Sequence, residues 1–149
     1  MDHQASTIAA GKAPTHIWVV GVISLLWNAF GAYDYTMTNL RDPGYVAQFP
    51  PEMMDVIDAF PMWTMAAWAL GVWGALAGSV LLLMRSRFAV HAFAVSLAGL
   101  AGSQVYQATI DLPEAMTGGA MMAMTAVIWI GALAFLWYAW KQAKAGVLR

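Results

Sequence analysis

Asp34 is the only acidic residue of this 149-residue chain that lies within reach of the hydrocarbon boundary of a long apolar stretch. An ionisable side chain at such a depth is a functional candidate, because lipid offers it neither water nor a counter-ion. Polar residues at the corresponding depth of a second stretch predict an outer pocket for a small polar solute, with the candidate residues Asn28, Tyr33, Asp34, Tyr35, Gln104, Tyr106 and Gln107. The alternative is that Asp34 reaches the outer water at the end of its helix.

Three further acids have helical spacing. Glu52, Asp55 and Asp58 share one arc of a short helix predicted over residues 51–60, and apolar residues fill the opposite arc. This pattern is typical of an amphipathic helix lying at the membrane interface. The acidic arc is a candidate outer docking face; attraction of a cation and simple hydration are the other two interpretations.

No residue set predicts catalysis. His16 and His91 lie at the rims of two different apolar stretches, an arrangement that is ordinary for half-hydrated rings and does not favour haem. The chain has no cysteine, and no nucleophile–base pair or metal-ligand cluster is apparent. We therefore expect a protein that is not an enzyme, with no catalytic residue, metal site or cofactor.

The elements that position these residues are four apolar stretches. The chain is 61% hydrophobic and 10% charged, and no Asp, Glu, Lys or Arg occurs in residues 16–33, 59–84, 88–110 and 115–140. A helix of about 20 apolar residues crosses about 30 Å of hydrocarbon. We predict an all-α, polytopic membrane protein in one domain over residues 1–149, with spans at about 17–40, 61–84, 88–109 and 117–140. The short connections favour an up-down-up-down four-helix bundle.

Small residues within these spans predict close helix packing, because no hydrophobic force drives helices together in lipid. The candidate packing residues are Gly21, Ser24, Gly31, Gly71, Gly74, Gly78, Ser96, Gly99 and Ser103. Spans two and three are expected to pack against each other. Asn28 is expected to form an interhelical hydrogen bond, with a ligand contact as the alternative. Leu82, near a span end, is expected to face lipid.

Basic residues predict the orientation. The two tails and one connection contain the basic residues Lys12, Arg85, Arg87, Lys141, Lys144 and Arg149. The other connections contain Arg41 as their only basic residue. Lys and Arg in short loops remain in the cytoplasm. We expect both termini and the connection at residues 85–87 to be cytoplasmic. The net charge of −1 argues against a nucleic-acid partner.

The chain resembles a family of small bacterial four-span membrane proteins that are sometimes labelled sugar transporters. The resemblance is carried by Trp27-Asn28, Gly31 to Tyr35, Arg41, Tyr45, Gln48-Phe49, Pro61, Trp68 to Gly74 and Tyr106-Gln107. It implies a multi-pass protein of the bacterial cytoplasmic (inner) membrane. It carries no mechanism and no residue roles.

Two functions follow as hypotheses. The first is a non-catalytic accessory or assembly subunit of a larger membrane complex, favoured by the small-residue stripes and the outer amphipathic helix. The alternative is a small-solute transporter or channel, for example for a sugar, acting as an oligomer because four spans enclose little volume. The expected partners are the lipid bilayer and either other membrane subunits or further copies of the chain.

The orientation can be tested with Ser86→Cys, which gives the chain a single thiol. If the connection at residues 85–87 is cytoplasmic, an impermeant thiol reagent labels this variant only after the membrane is opened. Labelling in intact cells would contradict the assignment.

Overall fold

The computed structural model describes residues 12–149 and is helical along most of that length. Four long helices are apolar enough to cross a membrane. They are α1 (Thr15–Asn39), α4 (Met62–Leu83), α5 (Phe88–Gln107) and α7 (Gly119–Lys144), and the short helices between them are α2 (Pro43–Val46), α3 (Pro51–Asp58) and α6 (Glu114–Thr117). These helices confirm the all-α prediction with four spans and a short helix between the first two. The N-terminal tail before Lys12, which the sequence predicts to be cytoplasmic, lies outside the described residues.

The bundle is built around α4 and α5. A connection of four residues joins them, so they run antiparallel and form the most extensive helix pair. Helix α1 packs on α4, and α7 packs on α5. The short helix α3 contacts α6, which in turn contacts α7. The chain order therefore follows the predicted up-down-up-down arrangement.

The α4–α5 contact is made by backbone against backbone. A Cβ atom added at Gly99 would lie 2.5 Å from the carbonyl oxygen of Ala67 and 2.5 Å from the amide nitrogen of Gly71. A Cβ atom at Gly74 would lie 3.1 Å from the amide nitrogen of Ser96. The Ser96 hydroxyl donates to the Gly71 carbonyl oxygen at 2.5 Å. Small residues thus hold these two helices at close range, as lipid-embedded helices require.

Two of the packing expectations are wrong. Nothing lies within 4 Å of the Cβ position at Gly31, so this glycine does not mark a helix contact. Leu82 is fully buried rather than lipid-facing, in a cluster with Ile17 and Phe93. Its helix turns this side chain inward because α1 and α5 both begin beside the end of α4. Gly21 does pack closely, against the Leu83 side chain.

The two ends of the bundle carry opposite charge. The end where α1 and α5 begin and α4 and α7 finish has the basic residues Lys12, Arg85, Arg87, Lys141, Lys144 and Arg149 and is called the basic end. The other, called the acidic end, has Arg41 and the acids Asp34, Asp42, Glu52, Asp55, Asp58, Asp111 and Glu114. Which end faces the cytoplasm stays a prediction.

The basic end is closed by the C-terminal segment, residues 146–149. Helix α7 ends at Lys144, and two residues later Gly146, with a φ of 73°, reverses the chain, as is common after helix C-termini. Arg149 then exchanges backbone hydrogen bonds with the α4–α5 connection: its amide donates to the Arg85 carbonyl at 2.7 Å, and its carbonyl accepts from the Arg87 amide at 2.9 Å. Leu148 is 2% exposed and belongs to the buried hydrophobic cluster at this end of the bundle.

The close α4–α5 contact predicts a contrast between two glycines. Gly99→Ala places a methyl group against fixed backbone, and overpacking of this kind costs about 1–3 kcal/mol. Gly31→Ala meets open space and is expected to change stability by less than about 1 kcal/mol, in the stabilising direction. Thermal melting of both variants in the same detergent is the measurement. Equal melting temperatures would mean that α4 and α5 are not in backbone contact.

Candidate functional site

A polar cluster lies within the α1–α4 interface. The hydroxyl oxygens of Ser24 and Ser79, both fully buried, are 2.6 Å apart. The amide nitrogen of Asn28 is 2.9 Å from the Ser79 hydroxyl and 3.3 Å from the Ala75 carbonyl oxygen. Asn28 therefore forms the interhelical hydrogen bonds expected from the sequence. These bonds pair the two hydroxyl groups and the Asn28 amide nitrogen, and they fix the register of α1 on α4.

A second polar contact lies at the acidic end. The Tyr45 hydroxyl donates to the Asp34 carboxyl oxygen at 2.5 Å. Tyr45 is held there by α2, which is capped at its start by Asp42: the Asp42 carboxyl oxygen accepts from the Tyr45 amide at 2.8 Å. The rings of Tyr33 and Phe49 pack edge-on against Tyr45, at 5.6 and 5.4 Å between centroids. The loop after α1 thus folds back over Asp34.

The environment of Tyr45 keeps its hydroxyl protonated. Partial burial, followed by the hydrogen bond to Asp34 and the nearby charge of Asp34, raises the pKa of Tyr45 above its ordinary value of 10.0. A group whose pKa is raised on folding contributes its stability below the unfolded value and loses it as pH rises beyond that value. The Tyr45 hydroxyl therefore keeps its proton through neutral pH, and its contribution to the Asp34–Tyr45 pair is lost in strong alkali.

The other predicted pocket residues have different neighbours. The Tyr35 ring packs against Trp68 of α4 at 4.9 Å, and the Tyr106 ring packs against Phe60 and Trp63 at 5.5 Å each. Gln107 donates to Ser103 of its own helix at 3.3 Å.

The residues predicted to form one pocket therefore lie in two separate groups. The residues of α1 meet α2 and α4, whereas the residues of α5 meet their own helix and the start of α4. Asn28 does not share a pocket with Asp34, because its amide is hydrogen-bonded inside the α1–α4 interface. Gln104 is half-buried, and no side-chain hydrogen bond joins it to Asp34 among the described residues. The reason is that α4, not α5, is the neighbour of α1.

Helix α3 is amphipathic, as predicted. Glu52, Asp55 and Asp58 are exposed, and Met53 on the other side is buried. Asp58 forms an ion pair with Arg41, which joins the end of α3 to the end of α1. Only Glu52 and Asp55 of the acidic arc therefore remain unpaired within residues 12–149.

Two open cavities lie at the basic end. The first has a volume of about 290 Å³ and is lined by Leu81, Met84, Arg85, Ser86 and Arg149. The second, of about 240 Å³, lies between α5 and α7 and is lined by Arg87, Val90, His91, Trp140, Ala143 and Lys144. Sequence reasoning missed both, although the clustering of basic residues in the tails and the connection was the available signal.

The described histidine and acidic side chains show no further arrangement suited to catalysis or metal binding. His16 lies 2.5 Å through its Nδ1 atom from the Tyr138 hydroxyl, which joins the start of α1 to α7. Among the described residues, no three histidine, aspartate or glutamate side chains come together in a group that could hold a metal ion.

The fold and composition define a class, the multi-pass helical membrane proteins with four spans. The chain matches no protein-family model, and comparison with curated proteins and with solved structures finds no match. The resemblance to small four-span proteins noted from the sequence therefore stays a prediction.

The Asp34–Tyr45 pair predicts the effect of removing one hydroxyl group. Tyr45→Phe keeps the ring and its aromatic contacts but leaves the Asp34 carboxyl without its donor, so it is expected to lower stability by about 1 kcal/mol. The matched control is Tyr33→Phe, which retains the same ring packing and is expected to change stability by less than about 0.5 kcal/mol.

Melting curves of these variants, with Asp34→Ala and the double variant, measure the pair. The two losses should be non-additive if the groups interact. Strictly additive losses would show that the hydroxyl and the carboxyl do not interact in the folded protein.

Proposed function

We propose that the protein is a non-catalytic accessory or assembly subunit of a larger membrane complex, and that the acidic-end half of α7 is the surface that contacts its partner. The observation that carries this proposal is the unequal burial of the four spans. In α1, α4 and α5, 22, 17 and 28% of the residues of an apolar 18-residue stretch are buried, respectively. In α7, no residue of such a stretch is buried.

Helix α7 packs within the chain mainly near the basic end. Its buried residues are Ala139 and Gln142, both in the last two turns. Gly131, near the middle, has only the Phe135 and Trp27 side chains within 4 Å of its Cβ position, both at 3.9 Å. Towards the acidic end, residues 119–124 are all exposed. The first six residues of this span are therefore without close packing against another span of the described chain.

Apolar exposure alone does not indicate a protein partner, because lipid covers apolar surface without cost. The residue types supply the further argument. Met121, Met122 and Met124 are exposed beside the small residues Ala120 and Ala123. Methionine adapts its shape to a partner surface, and small residues allow a second helix to approach closely. These features favour a transmembrane helix of another protein as the occupant.

The acidic arc of α3 adds a polar contact for the same partner. Helix α3 contacts α6, and α6 leads directly into α7. Exposed Glu52 and Asp55 therefore lie on the same end of the molecule as the exposed start of α7. Basic side chains at the end of a partner helix would complement them.

A small-solute transporter or channel acting as an oligomer is the second candidate. The half-exposed α7 span suits assembly with further copies of the chain as well as with another protein. The interior of one copy offers this function less support. Asn28, Ser24 and Ser79 are hydrogen-bonded to one another, and the α4 and α5 backbones are in contact.

The location that we propose is the bacterial cytoplasmic membrane, with the basic end inside. It is supported by the opposite charges of the two ends and by Trp137 and Trp140, which lie near the basic end where aromatic residues commonly mark the interface.

Site-specific crosslinking tests the docking surface. The chain has no cysteine, so Met122→Cys introduces a unique attachment point for a photo-crosslinker on the exposed half of α7. Ile23→Cys, on an exposed position of α1, is the matched control. In native membranes, Met122→Cys is expected to form a discrete adduct with a different membrane protein, at a yield several-fold above that of Ile23→Cys.

The other adducts separate the alternatives. An adduct of twice the mass of the chain would favour the oligomeric transporter over the accessory subunit. Crosslinks to lipid only, or equal yields from both positions, would contradict the docking role of α7.

A further inference from the structure

The cavity between α5 and α7 at the basic end is a site that the proposed function does not use. It is lined by Arg87, Val90, His91, Trp140, Ala143 and Lys144. From its position and charge we infer that it binds the phosphate headgroup of an anionic phospholipid. This inference does not depend on α7 as a docking surface, because that surface is at the opposite end of the helix.

The positive charges of the cavity lining favour the binding of an external anion. Arg87 and Lys144 supply two fixed positive charges, and the imidazole of His91 supplies a further hydrogen-bonding group. No acidic residue of the described chain lies at this end. The one ion pair between described residues, Arg41 with Asp58, is at the acidic end. A phosphate oxygen is the acceptor that arginine and lysine donors bind well.

The apolar walls of the cavity indicate a lipid rather than a soluble anion. Lys144 lies over the Trp140 ring at 4.1 Å, and Lys141, one turn earlier, lies over the Trp137 ring at 5.0 Å. Phe88, Trp137 and Trp140 are about half exposed or more, at 68, 57 and 47%. Aromatic side chains at this level mark the headgroup region of a bilayer.

The surroundings therefore place the positive groups at headgroup depth. Basic pockets between spans on the cytoplasmic side are a recognised way to hold anionic headgroups. The acyl chains of such a lipid would lie along the exposed apolar faces of α5 and α7. The cavity of about 240 Å³ has room for a phosphate group and the glycerol carbon atoms beside it.

The test compares lipids and variants with the intact chain. Thermal stability and lipid retention are measured in detergent supplemented with phosphatidylglycerol or with phosphatidylcholine, and inorganic phosphate forms a third arm. The variants are Arg87→Gln, Lys144→Gln and the pair together. Lys141→Gln is the matched control, because it removes one charge from the same helix without altering the cavity lining.

The expected result is a preference of the native chain for phosphatidylglycerol over phosphatidylcholine. Since each basic residue near an anionic headgroup is worth about 1 kcal/mol, each single variant should lose about fivefold in affinity for phosphatidylglycerol and the pair about thirtyfold. Lys141→Gln should lose less than about twofold. All variants should keep the native melting temperature in phosphatidylcholine, because the side chains concerned are exposed or half-exposed.

Four results would overturn the inference. These are equal binding of the two lipids by the native chain, retention of the preference in the paired variant, an equal loss in Lys141→Gln, and full reproduction of the stabilisation by inorganic phosphate. The third result would mean diffuse attraction to the basic end, and the fourth would mean a site for a soluble anion.

Discussion

The structure depends on the close approach of the α4 and α5 backbones. Lipid tails are as apolar as leucine, so helices in a membrane associate through van der Waals contact and hydrogen bonds rather than through the hydrophobic effect. Gly99 provides this contact, because a Cβ atom there would lie 2.5 Å from the backbone of α4. The Ser96 hydroxyl adds a hydrogen bond to the Gly71 carbonyl across the same interface. With this hairpin formed, each outer face offers a surface on which one further helix can pack.

The two outer helices use that hairpin differently. Helix α1 is attached to α4 by the hydrogen bonds of Ser24, Asn28 and Ser79, groups that would be costly to leave unpaired in hydrocarbon. Helix α7 has no comparable polar contact in its acidic-end half and is held instead at the basic end, where Ala139 and Leu148 are buried and Tyr138 meets His16. One span is thus fixed along its length, and the other is fixed at one end. This difference is the physical basis for proposing α7 as the partner-binding helix.

At both ends of the bundle, short segments between or after the spans form contacts that hold the spans together. At the acidic end, Tyr45 reaches Asp34 and Arg41 reaches Asp58, so the loop between α1 and α4 is attached to the spans. At the basic end, the C-terminal segment pairs with the α4–α5 connection through the Arg149 backbone. Basic side chains line the two open cavities there: Arg85 and Arg149 in one, Arg87 and Lys144 in the other. No acidic side chain of the described chain lies at that end, and the phosphate headgroup that we propose would supply negative charge to these basic groups.

The sequence by itself determined the class and the elements. Four uncharged stretches, with proline or charged residues between them, are sufficient to define helices that fit the hydrocarbon thickness, because this depends only on local composition and length. The tertiary structure alone decided which faces meet. Gly21 and Gly31 look alike in the sequence, yet only Gly21 packs against a neighbour, and the buried position of Leu82 follows from the arrangement of three helix ends. The pairing of Asp34 with Tyr45, rather than with Gln104 and Gln107, likewise follows from α4 being the neighbour of α1. Apolar periodicity carries no signal for such choices, since nearly every face of these helices is apolar. Neighbour order is set by the contacts of the whole bundle.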